Sequence, residues 1–129
     1  MFSKEQIEAA HGKVKSGADF PAYVNEIRSL GVKSHEVSLR EGTWMFKGLD
    51  SRTVSFVNGP VVPVSERVSV EAFKRSLTNH QRGETDYLTF CQQAGKAGVD
   101  RWISDFLNMA VTYYDAAGNV VAVEPIPGQ

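Results

Sequence analysis

The sequence has a single cysteine, Cys91, so it cannot build an internal disulfide framework and is suited to a reducing compartment such as the cytoplasm. It has no apolar run near the roughly 20 residues that span a bilayer. It is charged from Lys4 onward, so the reading expects neither a transmembrane helix nor a signal peptide. Charge excess of one sign is missing too. Fourteen basic against fifteen acidic residues give a net charge of -1, and residues 1–65 carry eight and seven against six and eight in the remainder. A general nucleic-acid binder needs a basic excess, so no strong nucleic-acid signature is read. Close histidine or cysteine pairs at zinc-ligand spacing are lacking, although His11, His35, His80 and Cys91 are present. No glycine-rich turn joins a strand to a helix at phosphate-loop spacing, and no cofactor is expected.

What is present is amphipathic patterning. Ser3 with Gln6 forms a capping-box pair, Phe2 can staple onto Ile7, and Ile7, Ala10, His11 and Val14 mark a buried stripe that Gly17 is expected to end. Asp19 and Pro21 open a second helix along Phe20, Tyr23, Val24, Ile27 and Leu30, closed by Gly31. The period then falls to two, and residues 32–39, 43–48 and 52–57 read as strands. Asn58-Gly59-Pro60 and Pro63 interrupt the ladder. Ser69 caps a third helix carrying Val70, Phe73, Leu77 and His80. Thr85 or Asp86 caps a fourth, with stripe Tyr87, Phe90, Cys91, Ala94 and Ala97. Strands return at about 101–106, 109–114 and 119–124.

The expected fold class is therefore α+β, ordered ααβββααβββ: two helical hairpins, each followed by a three-stranded antiparallel meander, with the helices packed on the sheet. One domain is expected over 1–124, with 125–129 a frayed tail. The repeated order suggests a diverged internal duplication, although no residue-level repeat accompanies it. Whether the two meanders form one sheet is not decided by the pattern.

Several segments together resemble a known family. These are Gly17-Ala-Asp-Phe-Pro21, His80-Gln-x-Gly83-x-Thr85-Asp86-Tyr87-x-x-Phe90-Cys91 running on to Ala97-Gly98-Val99, Trp102-x-x-Asp105, and Tyr113-Tyr114-Asp115-x-x-Gly118-Asn119. They resemble the YdfO-like family of small prophage-encoded proteins, often labelled "phage envelope protein". The resemblance covers nearly the whole chain and is weakest over 58–69. It implies an α+β fold and a phage origin, and it brings no activity, substrate or catalytic residue.

Candidate chemistry is sparse. Cys91 with His80 suggests a nucleophile and base, but Cys91 lies more than one turn into its helix, within an apolar stripe. His35 and Glu36 are neighbours on a strand and point to opposite faces. Asp105 shares a face with Ile103, and a carboxylate turned inward there would need a partner or a function. Tyr113 and Tyr114 must also point apart, and Trp44 and Trp102 are expected to be partly exposed. The expected function is a non-catalytic accessory or interaction module that binds a host or phage protein. Its candidate site joins His80, Tyr87, Trp102, Asp105 and Tyr114, with Gly83 freeing the connector. The alternatives are a small-molecule sensor or enzyme using Asp105, His80 or Cys91, and a phage structural component. An unpaired edge strand offers a homodimer contact.

Overall fold

The computed structural model describes residues 2–14 and 19–126. The elements follow the expected order: α1 (Lys4–His11), α2 (Phe20–Ser29), β1 (Val32–Ser38), β2 (Thr43–Gly48), β3 (Thr53–Val57), α3 (Val70–Gln81), α4 (Tyr87–Lys96), β4 (Val99–Asp105), β5 (Ala110–Asp115) and β6 (Val120–Pro125). Local chemistry explains the helix starts. Ser3 Oγ accepts from the Gln6 amide at 3.2 Å while Gln6 Oε1 accepts from the Ser3 amide at 2.9 Å, closing the capping box. Asp86 Oδ1 accepts from the Thr89 amide at 2.7 Å, and Ser69 Oγ from the Ala72 amide at 3.3 Å. α1 is shorter than the periodicity suggests. It stops at His11 with Gly12 as its C-cap, and Val14 is half-buried beyond the helix. Gly17 lies outside the described residues.

The two meanders do join. All strands form one antiparallel sheet in the order β3-β2-β1-β4-β5-β6, with β1 and β4 paired at its centre. That pairing has a local two-fold. Gly98 follows Gly31 by 67 residues (98 − 31), and the same shift carries β1 onto β4, β2 onto β5 and α2 onto α4. Glu36 maps onto Ile103, and these two residues face each other across the ladder, so the pseudo-axis passes between them. Both halves carry a register irregularity at the same place, between Val32 and Ser34 and between Val99 and Arg101. The left-handed backbone positions coincide as well: Gly31 (φ 94°) with Gly98 (95°), Gly42 (69°) with Met109 (55°), and Ser51 (69°) with Gly118 (88°).

One face of the sheet meets the helices. His35, Val37, Trp44, Phe46, Trp102, Ser104, Val111 and Tyr113 point into it and are buried, and Ile7, Tyr23, Val24, Ile27, Phe73, Phe90, Cys91 and Ala94 descend from the helices. Each large apolar side chain removed from water there contributes about 1.5–3 kcal/mol. The opposite face shows Ser34, Glu36, Ser38, Arg101, Ile103, Asp105, Thr112 and Tyr114, all half-buried. Trp44 and Trp102 are 3% and 7% exposed, not partly open as their strand positions suggest. Central strand positions and helices above them cover both rings. β6 runs one residue beyond the expected strand, and buried Ile126 donates its amide to the Met109 carbonyl at 2.8 Å.

The paired glycines give a direct test of the crossover connection between β3 and α3. A Cβ at Gly31 would meet nothing within 4 Å, whereas one at Gly98 would lie 2.8 Å from the Arg67 carbonyl oxygen and 2.9 Å from Val68 Cα. Gly31→Ala should cost only the backbone term, about 1–2 kcal/mol. Gly98→Ala should cost about 3 kcal/mol or more, because the connection must also shift. Urea unfolding midpoints compare the two, and equal losses would show that the 67–68 backbone is not seated on Gly98.

Candidate functional site

The residues expected to form one cleft are divided by the sheet. His80, in the last turn of α3, stacks on Phe90 at 4.6 Å, Phe90 lies 5.7 Å from Trp102, and Trp102 stands edge-on to Tyr87 at 6.5 Å. His80, Tyr87 and Trp102 therefore belong to one aromatic string under the helices. The His80 Nδ1–H donates to the Thr85 carbonyl at 3.0 Å, since a carbonyl can only accept. Asp105 and Tyr114 stand on the other face, because side chains alternate along a strand and Asp105 is three residues from Trp102. Asp105 accepts from the Leu107 and Asn108 amides at 2.9 and 3.0 Å and from Asn108 Nδ2 at 2.8 Å. Those bonds hold its carboxyl below the usual range and give it the task of closing the β4–β5 turn. The Arg101 guanidinium lies 4.9 Å from the Tyr114 ring centroid. Gly83 has φ 78° and open space around it.

Cys91 is fully buried, and burial pushes its thiol up to about 12. A thiol in that state offers no thiolate at neutral pH. Glu124, on β6, accepts from the Tyr113 hydroxyl at 2.5 Å and from Gln81 Nε2, and desolvation still raises its carboxyl above the ordinary value.

A second gathering of polar groups was not read as a site. His11, at the end of α1, stands edge-on to Trp44 at 4.6 Å and to Tyr23 at 5.7 Å. His35, on β1, lies 4.9 Å from Trp44 and stacks on Phe46 at 4.0 Å. Tyr87 reaches across from α4, 6.1 Å from Trp44. Within this cluster the Tyr23 hydroxyl, His35 Nε2, Trp44 Nε1 and the Tyr87 hydroxyl are all buried with no hydrogen-bond partner. The Tyr87 hydroxyl approaches Trp44 and the Cys91 thiol without reaching hydrogen-bond geometry with either. Burial drives the histidines towards their neutral forms, His35 down to about 3 with His11 adding to the effect, and it raises both tyrosines. The two histidines and two tyrosines of the cluster are thus uncharged at neutral pH.

The local two-fold sharpens the contrast. Tyr23, His35 and Trp44 map onto Phe90, Trp102 and Val111 in the second half. The same frame there holds side chains with fewer hydrogen-bonding atoms. The available signal was the set of polar aromatics on inward stripe positions: His11, Tyr23, His35, Trp44 and Tyr87. Among the described residues no three of His, Cys, Asp and Glu are placed to hold a metal ion.

The architecture defines an α+β protein made of two helical-hairpin-and-meander units fused across one sheet, with a polar aromatic cluster enclosed mainly by the first. The chain belongs to the family described as "Protein of unknown function (DUF1398)", whose model matches residues 8–125. No curated protein matches the chain.

Two outcomes follow from the site. Cys91 should resist alkylation in the native protein and react on unfolding; rapid labelling below pH 7 would contradict its burial. The second concerns acid. Below about pH 6.5 the unfolded chain protonates His35, but the folded chain does not until near pH 3, so this stability is complete above the unfolded value and lost as pH falls. Between pH 7 and pH 5 the loss from this group should be about 2 kcal/mol. His35→Gln should lose correspondingly less over the same interval, as read by urea unfolding, and an unchanged difference would contradict the assignment.

Proposed function

We propose that this protein is a non-catalytic binding module that holds a small, uncharged, hydrogen-bonding molecule in the cluster of Tyr23, His35, Trp44 and Tyr87. The observation that carries the reading is that four of the five buried side-chain polar atoms without partners, all but Gln93 Oε1 on α4, converge here from both halves of the fold. Buried polar groups in folded proteins are almost always satisfied, and each exception calls for an explanation. The donors and acceptors define the ligand. The Trp44 indole N–H needs an acceptor, the two hydroxyls can donate or accept, and neutral His35 adds one further nitrogen. An ionised ligand would meet no opposite charge among these groups, so its desolvation would go uncompensated. The occupant is therefore a neutral molecule with a carbonyl or hydroxyl, bounded by aromatic rings.

Access would involve His11, the half-buried ring at the rim, and the backbone at Gly59, where a Cβ would come within 2.8 Å of Trp44 Nε1. Cys91 and Asp105 are occupied by burial and by turn closure, which supports binding over catalysis. The prophage origin, an intracellular site of action and a host or phage protein partner rest on the family resemblance and on the composition. In that setting the module would report the presence of its ligand to another protein.

The test follows the two indole N–H signals by heteronuclear magnetic resonance while phenol, 2-pyridone and N-methylacetamide are added in turn. At least one probe should shift the Trp44 signal well beyond that of Trp102, and Tyr87→Phe should weaken the response. If none of the probes moves the Trp44 signal, the reading fails.

A further inference from the structure

Outside the interior cluster, the most distinctive surface is the solvent side of α3. Lys74, Arg75, Thr78, Asn79 and Arg82 line a shallow, open groove. Residues 74, 78 and 82 follow one another at helical spacing, and 75 and 79 lie beside them, so the cations share one face. Lys74, Arg75 and Arg82 are exposed, and none forms an ion pair with a described residue. No acidic residue occurs between Lys74 and Arg82. A chain with a net charge of -1 has thus collected three unpaired cations along about 12 Å of one helix.

The charges at either end limit what can dock. Glu71 precedes the patch and Glu84 follows it. A nucleic-acid duplex carries phosphates well beyond 12 Å in both directions and would run its own charge over both carboxylates. A short protein segment with two or three carboxylates fits between them. Two acidic side chains eight residues apart on a helix stand about 12 Å apart on one face, which matches the separation of Lys74 and Arg82 on α3. Thr78 and Asn79 add neutral hydrogen-bonding groups within the same groove.

We propose that the outer face of α3 docks a short acidic segment of a partner protein through Lys74, Arg75 and Arg82. This surface is independent of the interior cluster, so either can fail without the other. His80, on the inner side of the same helix, stacks on Phe90 and fixes α3 to the core, so the docking face is presented on a packed support.

The experiment uses the full chain and a fluorescein-labelled peptide of about twelve residues with glutamate at every fourth position, read by fluorescence anisotropy. The same peptide with glutamine at those positions is the control, and a duplex DNA of about twenty base pairs is the competing class. The glutamate peptide should bind, and raising salt from about 50 to about 300 mM should weaken it. Arg75→Glu with Arg82→Glu should lower affinity about tenfold, with Arg75→Gln plus Arg82→Gln falling between. These side chains are exposed, and far-UV circular dichroism confirms that each variant is folded. Equal binding of the glutamine peptide, no binding, or unchanged affinity in the charge-reversed variant overturns the proposal. Tighter binding of the duplex, lost in the same variant, overturns it in favour of a nucleic-acid partner.

Discussion

The antiparallel ladder between β1 and β4 is the contact on which the rest of the molecule depends. Each helical hairpin and meander has one apolar face, and neither can bury it well alone. Pairing β1 with β4 converts two three-stranded meanders into a six-stranded sheet whose inner face is wide enough for both hairpins. The pairing sets Glu36 opposite Ile103, and the matching bulges and left-handed turns lie symmetrically on either side of that register. It also places α2 and α4 beside the central strands, with α2 against β1 and α4 against β4. Tyr87 can then reach Trp44 from the other half. The enclosed cluster is a product of the fusion and would be incomplete in either half.

Much of the fold was legible because the controlling signals are local. The Ser3–Gln6 box, the Ser69 and Asp86 caps, the glycines at 31 and 98 and the change from helical to strand period each act over a few residues. The end of α1 was not, since Val14 continues the apolar spacing although the helix has already stopped at Gly12. Strand order is a long-range property, and nothing in the period-two pattern states that β1 pairs with β4. That ignorance explains the tryptophans: on a sheet of unknown order Trp102 reads as half-open, but on a central strand beneath α4 it is covered.

The candidate site was legible only in part, and for the same reason. His80, Tyr87 and Trp102 do share one aromatic string, as their positions on inward stripes imply. The alternation rule already separated Trp102 from Asp105, which are three residues apart on one strand, so that grouping conflicted with geometry available at the outset. The convergence of His11 from α1 with His35 and Trp44 from β1 and β2 could not be read from spacing. It depends on how the hairpin lies over the sheet. In a single sequence each of these residues looks like an ordinary core position.

The structural repeat supplies an internal control for the polar cluster. The second half builds the same hairpin and meander with Phe90, Trp102 and Val111 where the first has Tyr23, His35 and Trp44, so the frame itself does not require a phenol, an imidazole and an indole at those positions. Leaving a buried donor or acceptor unsatisfied costs about 1–3 kcal/mol. Four such atoms would together consume much of the roughly 5–15 kcal/mol by which a folded protein is stable. A cluster this costly persists only if something supplies the missing hydrogen bonds, whether ordered water or a ligand that displaces it. The comparison of the halves favours a ligand: at matched positions the first half carries a phenol, an imidazole and an indole where the second carries Phe90, Trp102 and Val111, and Tyr87 brings its hydroxyl to the same place from the second half.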